Sequence, residues 1–352
     1  MDKDKNRIKN NKGVAIILVI FIVALASIMV VNLTYSTFLS TRATGMVERQ
    51  LQAEYILKSL LNFSVSLLHN DQTPNYDSFQ DDVWGMFALN PRIPNEYLGL
   101  RDLNSEVYLE IIPRNSRFNI STLSNLRSNS IRSNKEPLME AMEALMTNVG
   151  FDELLLEEET DPKFKGRRFI AEDIVPNIID WQDRDNESFD DPFYRGLEKN
   201  YDKEEVFNNT FNFTSQLGMV PGMTPRRLNA ISPFVFASAT QSGFVSSINV
   251  NTASKMVLRS LTLDFPEELV EEIQTTVMTN GPFQNITDIQ NLSYMTTDIF
   301  NRIRGLVSVQ SSDFIVYGKV KYGLQRPYYA KAVVGKSQER NKLPEIKSAS
   351  FY

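Results

Sequence analysis

Residues Lys12 to Val31 read KGVAIILVIFIVALASIMVV, and this stretch decides where the rest of the chain is placed. From Val14 to Val31 no side chain is charged and Ser27 is the one polar residue. As a helix the run is about 27 Å long, close to the hydrocarbon thickness of a bilayer. Ahead of it, basic residues outnumber Asp2 and Asp4; they are Lys3, Lys5, Arg7, Lys9 and Lys12. Because basic flanks stay in the cytoplasm, we expect the chain after Asn32 to lie across the membrane.

Three interpretations of this apolar run compete. A cleaved secretory signal needs small residues at a cut after the run, and Ala24 and Ala26 could mimic them, but the run continues through Val31. An uncleaved signal anchor is the second interpretation. In the third, the chain is cut before the run, between Gly13 and Val14, and the run is kept. This leader resembles those of type IV pilins and their relatives, which are cut in this way.

Composition narrows the possible chemistry. The chain has 352 residues, 42% hydrophobic and 23% charged, enough for a membrane helix and two modest lobes. Its formal net charge is −6, which does not favour a phosphate-backbone partner. The absence of cysteine excludes disulfides and thiolate sites. One histidine, His69, leaves almost no room for histidine triads or multi-histidine metal sites.

The pattern of apolar residues predicts an α+β fold. A helix from Val14 to His69 would run about 80 Å, or break into two near Gly45. An alternating strand is predicted at 106–112 and a hairpin at 314–334, while 135–149 and most of 210–310 have helical spacing. The segment 117–120 is compatible with an extension of the sheet. The economical architecture is a small antiparallel sheet packed on the long N-terminal helix and interrupted by a large helical insertion.

These patterns give five predicted regions. They are a leader at 1–13, a long helix at 14–69 with its membrane span at 14–31, a β lobe made of 70–120 and 312–335, an inserted α-helical domain at 121–311, and a flexible polar tail at 336–352.

An acidic loop is the best candidate for chemistry. It follows the apolar residues Ile174, Ile178 and Trp181, and its acidic side chains are Asp180, Asp183, Asp185, Glu187, Asp190 and Asp191. Clustered carboxylates on a loop can supply several of the oxygen ligands that a hard cation such as Ca²⁺ requires. On an extended loop, the alternating Asp183, Asp185 and Glu187 would point the same way. From the residues alone, a solvated acidic loop is the favoured interpretation, a divalent-cation site is the next, and acid–base catalysis is a distant third.

A second feature resembles DNA-binding helix-hairpin-helix sequences. It comprises FTSQLGMVPGMTPRRL at 213–228 and INVNTASK at 248–255. Gly222 matches one of the two hairpin glycines, but Thr224 stands at the other position. Arg226 and Arg227 could touch phosphate. Because the chain is acidic, a purely structural hairpin is the favoured interpretation.

Six segments in order resemble the K-type minor pseudopilins of type II secretion systems. They are KGVAIILVIF, RFNISTL, IIDWQDRDNE, LGMVPGM, SINVNTASKMVLRSL and SSDFIVYGKV. Pilins usually carry glutamate at the fifth mature position, which here is Leu18, and the K-type subunit typically lacks that glutamate. The resemblance implies a pilin-like lobe with an inserted α-domain at the tip of a periplasmic pseudopilus. It also implies I- and J-type partners, an often methylated N-terminus, and calcium held by residues between Asp180 and Glu187.

The resulting hypothesis is a structural assembly subunit without catalysis, anchored in the inner membrane with its C-terminal domain in the periplasm. A prepilin peptidase would remove 1–13, and Ca²⁺ would bind the acidic loop. The rival from another class is a membrane-anchored DNA-binding protein of an uptake or type IV pilus machine.

Overall fold

The computed structural model describes residues 4–99, 104–159, 162–185, 187–200, 209–238, 247–336 and 342–352, with side chains from residue 13 onward. The chain divides into two compact units, Met1–Lys58 and Ser59–Tyr352. The helices are α1 (Asp4–His69), α2 (Gly85–Leu89), α3 (Pro137–Val149), α4 (Ala171–Asp180), α5 (Pro225–Ile231), α6 (Lys255–Arg259), α7 (Glu267–Thr279) and α8 (Thr297–Ile303). The strands are β1 (Arg92–Ile93), β2 (Ser105–Pro113), β3 (Phe118–Asn119), β4 (Val235–Phe236), β5 (Ile248–Asn249), β6 (Val307–Ser308), β7 (Asp313–Tyr322), β8 (Tyr328–Gly335) and β9 (Glu345–Phe351).

The first unit is helical throughout its described length. α1 runs without a break through Gly45, so the alternative of two helices is wrong. No atom would meet a Cβ at Gly45, and the Thr41 and Thr44 hydroxyls donate to carbonyls one turn earlier. The apolar side chains from Val14 to Val31 are exposed along this helix. α1 contains the one described segment long and apolar enough to span a membrane, with a mean hydropathy of 3.4 in its 18-residue window.

In the second unit, a five-stranded antiparallel sheet forms in the order β1-β2-β7-β8-β9. The predicted strand and hairpin are confirmed as β2, β7 and β8. Alternate residues of β2 are buried, including Val107, Leu109 and Ile111, because one face of the strand points into the core. Trp84, which is fully buried, packs edge-on against Phe314 of β7 at 5.1 Å between ring centroids.

The two long strands β2 and β7 are neighbours although most of the chain separates them. Their register runs from Ser105 opposite Tyr322 to Pro113 opposite Phe314. Between them lies a helical region with its own hydrophobic core, which extends in sequence from Phe118 to Val309 and includes no residue of the five-stranded sheet. The limits of the inserted domain, predicted as 121–311, stay a prediction.

The sequence predictions for segment 117–120 and for the C-terminal tail were wrong. Segment 117–120 does not extend the main sheet, because Phe118–Asn119 pairs in parallel with Val235–Phe236. The tail predicted as flexible contains β9, which pairs with β8 along Glu345–Phe351. All residues of β9 are exposed, so an edge strand of this kind lacks the alternating apolar pattern by which strands are recognised. The part of the predicted tail at 337–341 lies outside the described residues.

The helical region contains an internal repeat. Residues 214–236 and 286–308 each form a 3₁₀ turn, a short helix and a two-residue strand. In both copies a threonine caps the helix: Thr224 accepts from the Arg227 backbone and Thr296 from that of Ile299. Each copy ends in a strand that pairs in parallel with β3 or β5. The predicted succession of short helices over 210–310 is thus confirmed, with a repeat that sequence inspection missed.

Candidate metal centre

The C-terminal end of α4 organises the acidic loop. Ile174 and Ile178 are fully buried, which fixes this helix in the core and places its last residue, Asp180, inside the protein. Asp180 accepts hydrogen bonds through Oδ1 from the Phe189 backbone at 2.6 Å and through Oδ2 from the Glu198 backbone at 2.9 Å. One carboxylate therefore holds two distant parts of the loop together.

This closure brings Asp180, Asp183 and Glu198 into one cluster, in which one oxygen from each residue lies within 4.8 Å of the others. All three residues are buried, with exposed fractions of 2%, 7% and 4%. Oδ1 of Asp183 and both carboxylate oxygens of Glu198 have no hydrogen-bond partner among the described residues. Buried carboxylate oxygens without partners are costly, so this arrangement is stable only with a proton or a cation.

The raised pKa values of the cluster also favour a bound proton or cation. Burial raises the pKa of Asp183 to about 7, and the neighbouring charges of Asp185 and Asp180 raise it further. Burial also raises the pKa of Glu198 to about 8, again with help from Asp183 and Asp180. The pKa of Asp180 rises to about 6 through burial, although backbone donors at Phe189, Glu198 and Leu197 oppose the change. Three carboxylates that resist ionisation together form a site suited to a positive charge.

A glycine permits this close approach. A Cβ placed on Gly196 would overlap the carboxylate of Asp180. Because the backbone of Gly196 passes directly against that carboxylate, only glycine fits where the chain turns back towards Glu198.

The remaining predicted ligands lie outside the cluster. Asp185 is exposed and accepts from the Glu187 backbone at 2.9 Å, and Glu187 pairs with Lys199 at 3.0 Å. Asp190 is exposed and 3.5 Å from Arg195. The loop turns instead of running extended, so the expected common direction of Asp183, Asp185 and Glu187 is wrong. Asn186 lies outside the described residues.

Asp191 is buried but serves the loop itself. Its Oδ1 accepts from the backbones of Phe193 at 2.8 Å and Tyr194 at 2.7 Å. Its Oδ2 lies 3.9 Å from Arg132 Nε. Asp191 therefore stabilises the turn that leads to Gly196.

Sequence inspection missed Glu198. It lies outside the acidic run, in the otherwise ordinary segment GLEKN. Its approach to Asp183 depends on the hydrogen bond from its own backbone to Asp180 and on the glycine that precedes it by two residues. The one sequence signal for this approach is Gly196, a glycine shortly after the acidic segment, where the chain turns back towards Asp180.

The groups of the helix-hairpin-helix segment are engaged within the protein. The Gly222 amide, in a left-handed conformation at φ +84°, donates to Glu159 at 2.7 Å. Arg226 pairs with Glu157 at 2.5 Å, and Arg227 is 1% exposed and donates to four backbone carbonyls. The groups that would meet a phosphate are occupied by the protein itself, so the DNA-binding alternative is not favoured.

The chain resembles known secretion proteins. Residues 116–240 match the family described as type II secretion system (T2SS), protein K. The fold matches a chain in the crystal structure of the GspK-GspI-GspJ complex from the enterotoxigenic Escherichia coli type 2 secretion system. That match has a TM-score of 0.61 at 13% identity and covers 88% of this chain and 99% of the other. No curated protein sequence matches significantly. On this match over residues 116–240, together with the pilin-like α+β fold and the apolar N-terminal helix, the chain resembles the type II secretion system protein K family, the minor pseudopilins.

Proposed function

We propose that this protein is a K-type minor pseudopilin, the tip subunit of a periplasmic pseudopilus, and takes part in protein secretion across the outer membrane. The observation that carries the proposal is the family match over residues 116–240, which falls on the helical insertion between β2 and β7. A bulky insertion is easier to accommodate at the end of a helical filament than within it. The role is structural, without catalysis.

Before assembly the subunit is held in the inner membrane by one span, with the N-terminus in the cytoplasm and the C-terminal domain in the periplasm. The support is the exposed apolar surface of α1 behind a basic leader. A prepilin peptidase then cuts between Gly13 and Val14, and the new N-terminus is methylated.

Leu18 supports the tip position. A glutamate at this place would lie in apolar surroundings and would need the N-terminal amine of a subunit ahead of it. An unpaired buried carboxylate is costly, and leucine removes that cost where no subunit lies ahead. The expected partners are I- and J-type minor pseudopilins, the other two proteins of the crystallised complex to which the fold is similar.

N-terminal sequencing of the full-length protein coexpressed with a prepilin peptidase tests this route. We expect the mature chain to begin at Val14, and Gly13→Leu to block the cut. Gly45→Leu is the matched control, because both glycines lie in α1 and neither has an atom within 4 Å of an added Cβ. A mature chain that still begins at Met1 would make the protein a plain anchor.

We further propose that Asp180, Asp183 and Glu198 hold Ca²⁺, with Asp185 at the rim. The donors are oxygens only, as Ca²⁺ prefers, and three of them are buried without partners. Ca²⁺ would neutralise the carboxylates and so stabilise the loop for contact with partners. Glu187, Asp190 and Asp191 have other contacts and remain weaker candidates.

Calorimetric titration of the full-length protein in detergent with Ca²⁺ tests the site. The substitution pair Asp183→Asn with Glu198→Gln should abolish binding at this cluster, whereas Glu187→Gln with Asp190→Asn should leave it unchanged. If the first pair and the second bind Ca²⁺ alike, these residues are not the ligands.

A further inference from the structure

A second group of carboxylates lies in the turn that follows α1. Asp71, Asp77 and Asp82 each place one oxygen within 4.8 Å of the others. Two ligands bound to one calcium ion at 2.3–2.6 Å are at most about 5 Å apart, so these three oxygens can share an ion. None of these residues belongs to the acidic loop, and no sequence motif singled them out.

The cluster is buried. Asp77 is fully buried, Asp82 is 2% exposed, and the side chain of Asp71 is 2% exposed. Burial raises the pKa of Asp77 to about 7 and that of Asp82 to about 8. Three acidic groups in such surroundings carry more negative charge than the protein stabilises at neutral pH.

One oxygen in the cluster lacks a partner. Asp77 Oδ2 accepts from Asn249 Nδ2 at 2.7 Å, but its Oδ1 is buried and has no hydrogen bond from any described part of the chain. Asp82 is partly satisfied, because Ser78 donates its backbone N–H to Oδ2 at 2.9 Å and Thr73 donates its hydroxyl to Oδ1. The Thr73 hydroxyl is a fourth oxygen within the cluster, 3.3 Å from Asp71 Oδ1.

Lys336, at the end of β8, is the basic group at this cluster. Its ammonium contacts Asp71 Oδ2, and among the described residues no other basic side chain lies within 4 Å of these three carboxylates. One ammonium neutralises one carboxylate and leaves two. Lys336 is therefore a competitor for a cation at this place as well as an ion-pair partner.

We propose that Asp71, Asp77 and Asp82 form a second divalent-cation site, selective for a hard ion such as Ca²⁺, in which Lys336 competes with the ion. The site would join three parts of the second unit: the turn after α1, the end of β8 through Lys336, and the helical insertion. The insertion contributes Asn249, and the Asp77 backbone donates to Val309 at 2.8 Å. The proposal does not depend on the acidic-loop site, because that site is removed in the test.

The experiment uses the full-length protein with Asp183→Asn and Glu198→Gln, titrated with Ca²⁺ by calorimetry in detergent. We expect one remaining equivalent of Ca²⁺ to bind. Asp82→Asn should remove it, and the neighbouring Asp81→Asn, which changes an exposed side chain, should not. Lys336→Met should tighten binding at least several-fold, a gain that a purely structural ion pair would not produce.

Terbium(III) luminescence gives a second measurement that distinguishes binding from folding. The chain has two tryptophans, and in Trp181→Phe, excited at a wavelength that tyrosine does not absorb, the remaining sensitiser is Trp84, two residues from Asp82. We expect sensitised emission that Ca²⁺ displaces and that Asp77→Asn removes, with thermal unfolding showing that each variant is folded. The proposal is wrong if the background protein and its Lys336→Met variant bind no Ca²⁺ at millimolar concentration, or if folded Asp82→Asn binds as before.

Discussion

Arg227 places its guanidinium inside the inserted domain, where none of the carboxylates that the structure describes forms an ion pair with it. It donates to the carbonyls of Leu155, Gly222, Phe151 and Phe169 at 2.7–2.9 Å. The Arg227 side chain also lies over the ring of Phe151, 5.0 Å from its centroid. An arginine with five N–H donors can bond several carbonyls at once, which a lysine cannot do with this geometry. Arg227 thus joins four segments of the domain.

Replacing Arg227 should be among the most damaging single changes. Arg227→Met leaves buried carbonyls unpaired at about 1–3 kcal/mol each, so we expect a loss of roughly 3–5 kcal/mol in the free energy of unfolding. Denaturant unfolding monitored by circular dichroism measures it. The adjacent Arg226→Met removes an exposed ion pair and should cost less than about 1 kcal/mol. Equal losses for the two variants would refute the assigned role.

Gly196 allows the acidic loop to close against Asp180, and this closure forms the proposed cation site. In Gly196→Ala the new methyl group would overlap Asp180, so either the carboxylate or the returning chain must move. We expect at least a tenfold loss of Ca²⁺ affinity and about 1–3 kcal/mol of stability, from calorimetric titration and thermal unfolding. Gly305→Ala, where nothing lies within 4 Å of an added Cβ, is the control. Unchanged affinity in Gly196→Ala would show that the loop is not held as described.

At the scale of elements, β9 is an edge strand that the sequence pattern did not predict. Only its pairing with β8, from Gly335 opposite Glu345 to Ala330 opposite Phe351, identifies it as a strand. Tyr329 and Tyr352 exchange backbone hydrogen bonds at 2.8 and 3.0 Å, and their rings stack at 5.6 Å. Lys347 on β9 also pairs with Asp313 on β7.

We expect hydrogen exchange to separate β9 from a flexible tail. Amides of Glu345–Phe351 that bond to β8 should exchange at least tenfold more slowly than the amide of Leu343, which lies outside any strand. Mass spectrometry of peptic and electron-transfer fragments, taken after the full-length protein is labelled with deuterium, measures this difference. Uniformly fast exchange from 342 to 352 would support the flexible tail that the sequence suggested.

At the scale of the whole molecule, the sheet and the insertion form separate hydrophobic cores in one continuous chain. Pro113 and Phe314 are register partners, so their Cα atoms lie roughly 4.5–5.5 Å apart. The next residues, Arg114 and Asp313, carry an ion pair of 3.9 Å. The chain therefore leaves the sheet after β2 and re-enters it at β7 at neighbouring positions, and a two-residue turn could connect Arg114 to Asp313.

A shortened chain tests this architecture. Replacing residues 115–312 with Asn-Gly should join β2 and β7 as a tight hairpin and keep the sheet folded, because this dipeptide favours such a turn. We expect cooperative thermal unfolding by circular dichroism, with stability reduced because Asp77 loses Asn249. The same deletion closed by Pro-Pro, which cannot form that turn, is the control. An aggregated or non-cooperative Asn-Gly chain would show that the sheet depends on the insertion.

The sequence by itself determined the long apolar helix, the principal strands and the short helices of the insertion, and it showed the resemblance to protein K. These follow from patterns a few residues long: the charge-free run from Val14 to Val31, the alternation in β2, and the helical spacing within 210–310. Only the tertiary structure decided which carboxylates meet. Asp183 lies beside Glu198 rather than Asp185, and Asp71 lies beside Asp77 and Asp82. These groupings depend on loop closure and burial, which require contacts between distant segments. The spacing of residues along the sequence predicts which face of its own helix or strand a side chain occupies. It does not predict which residues of distant segments will contact that side chain.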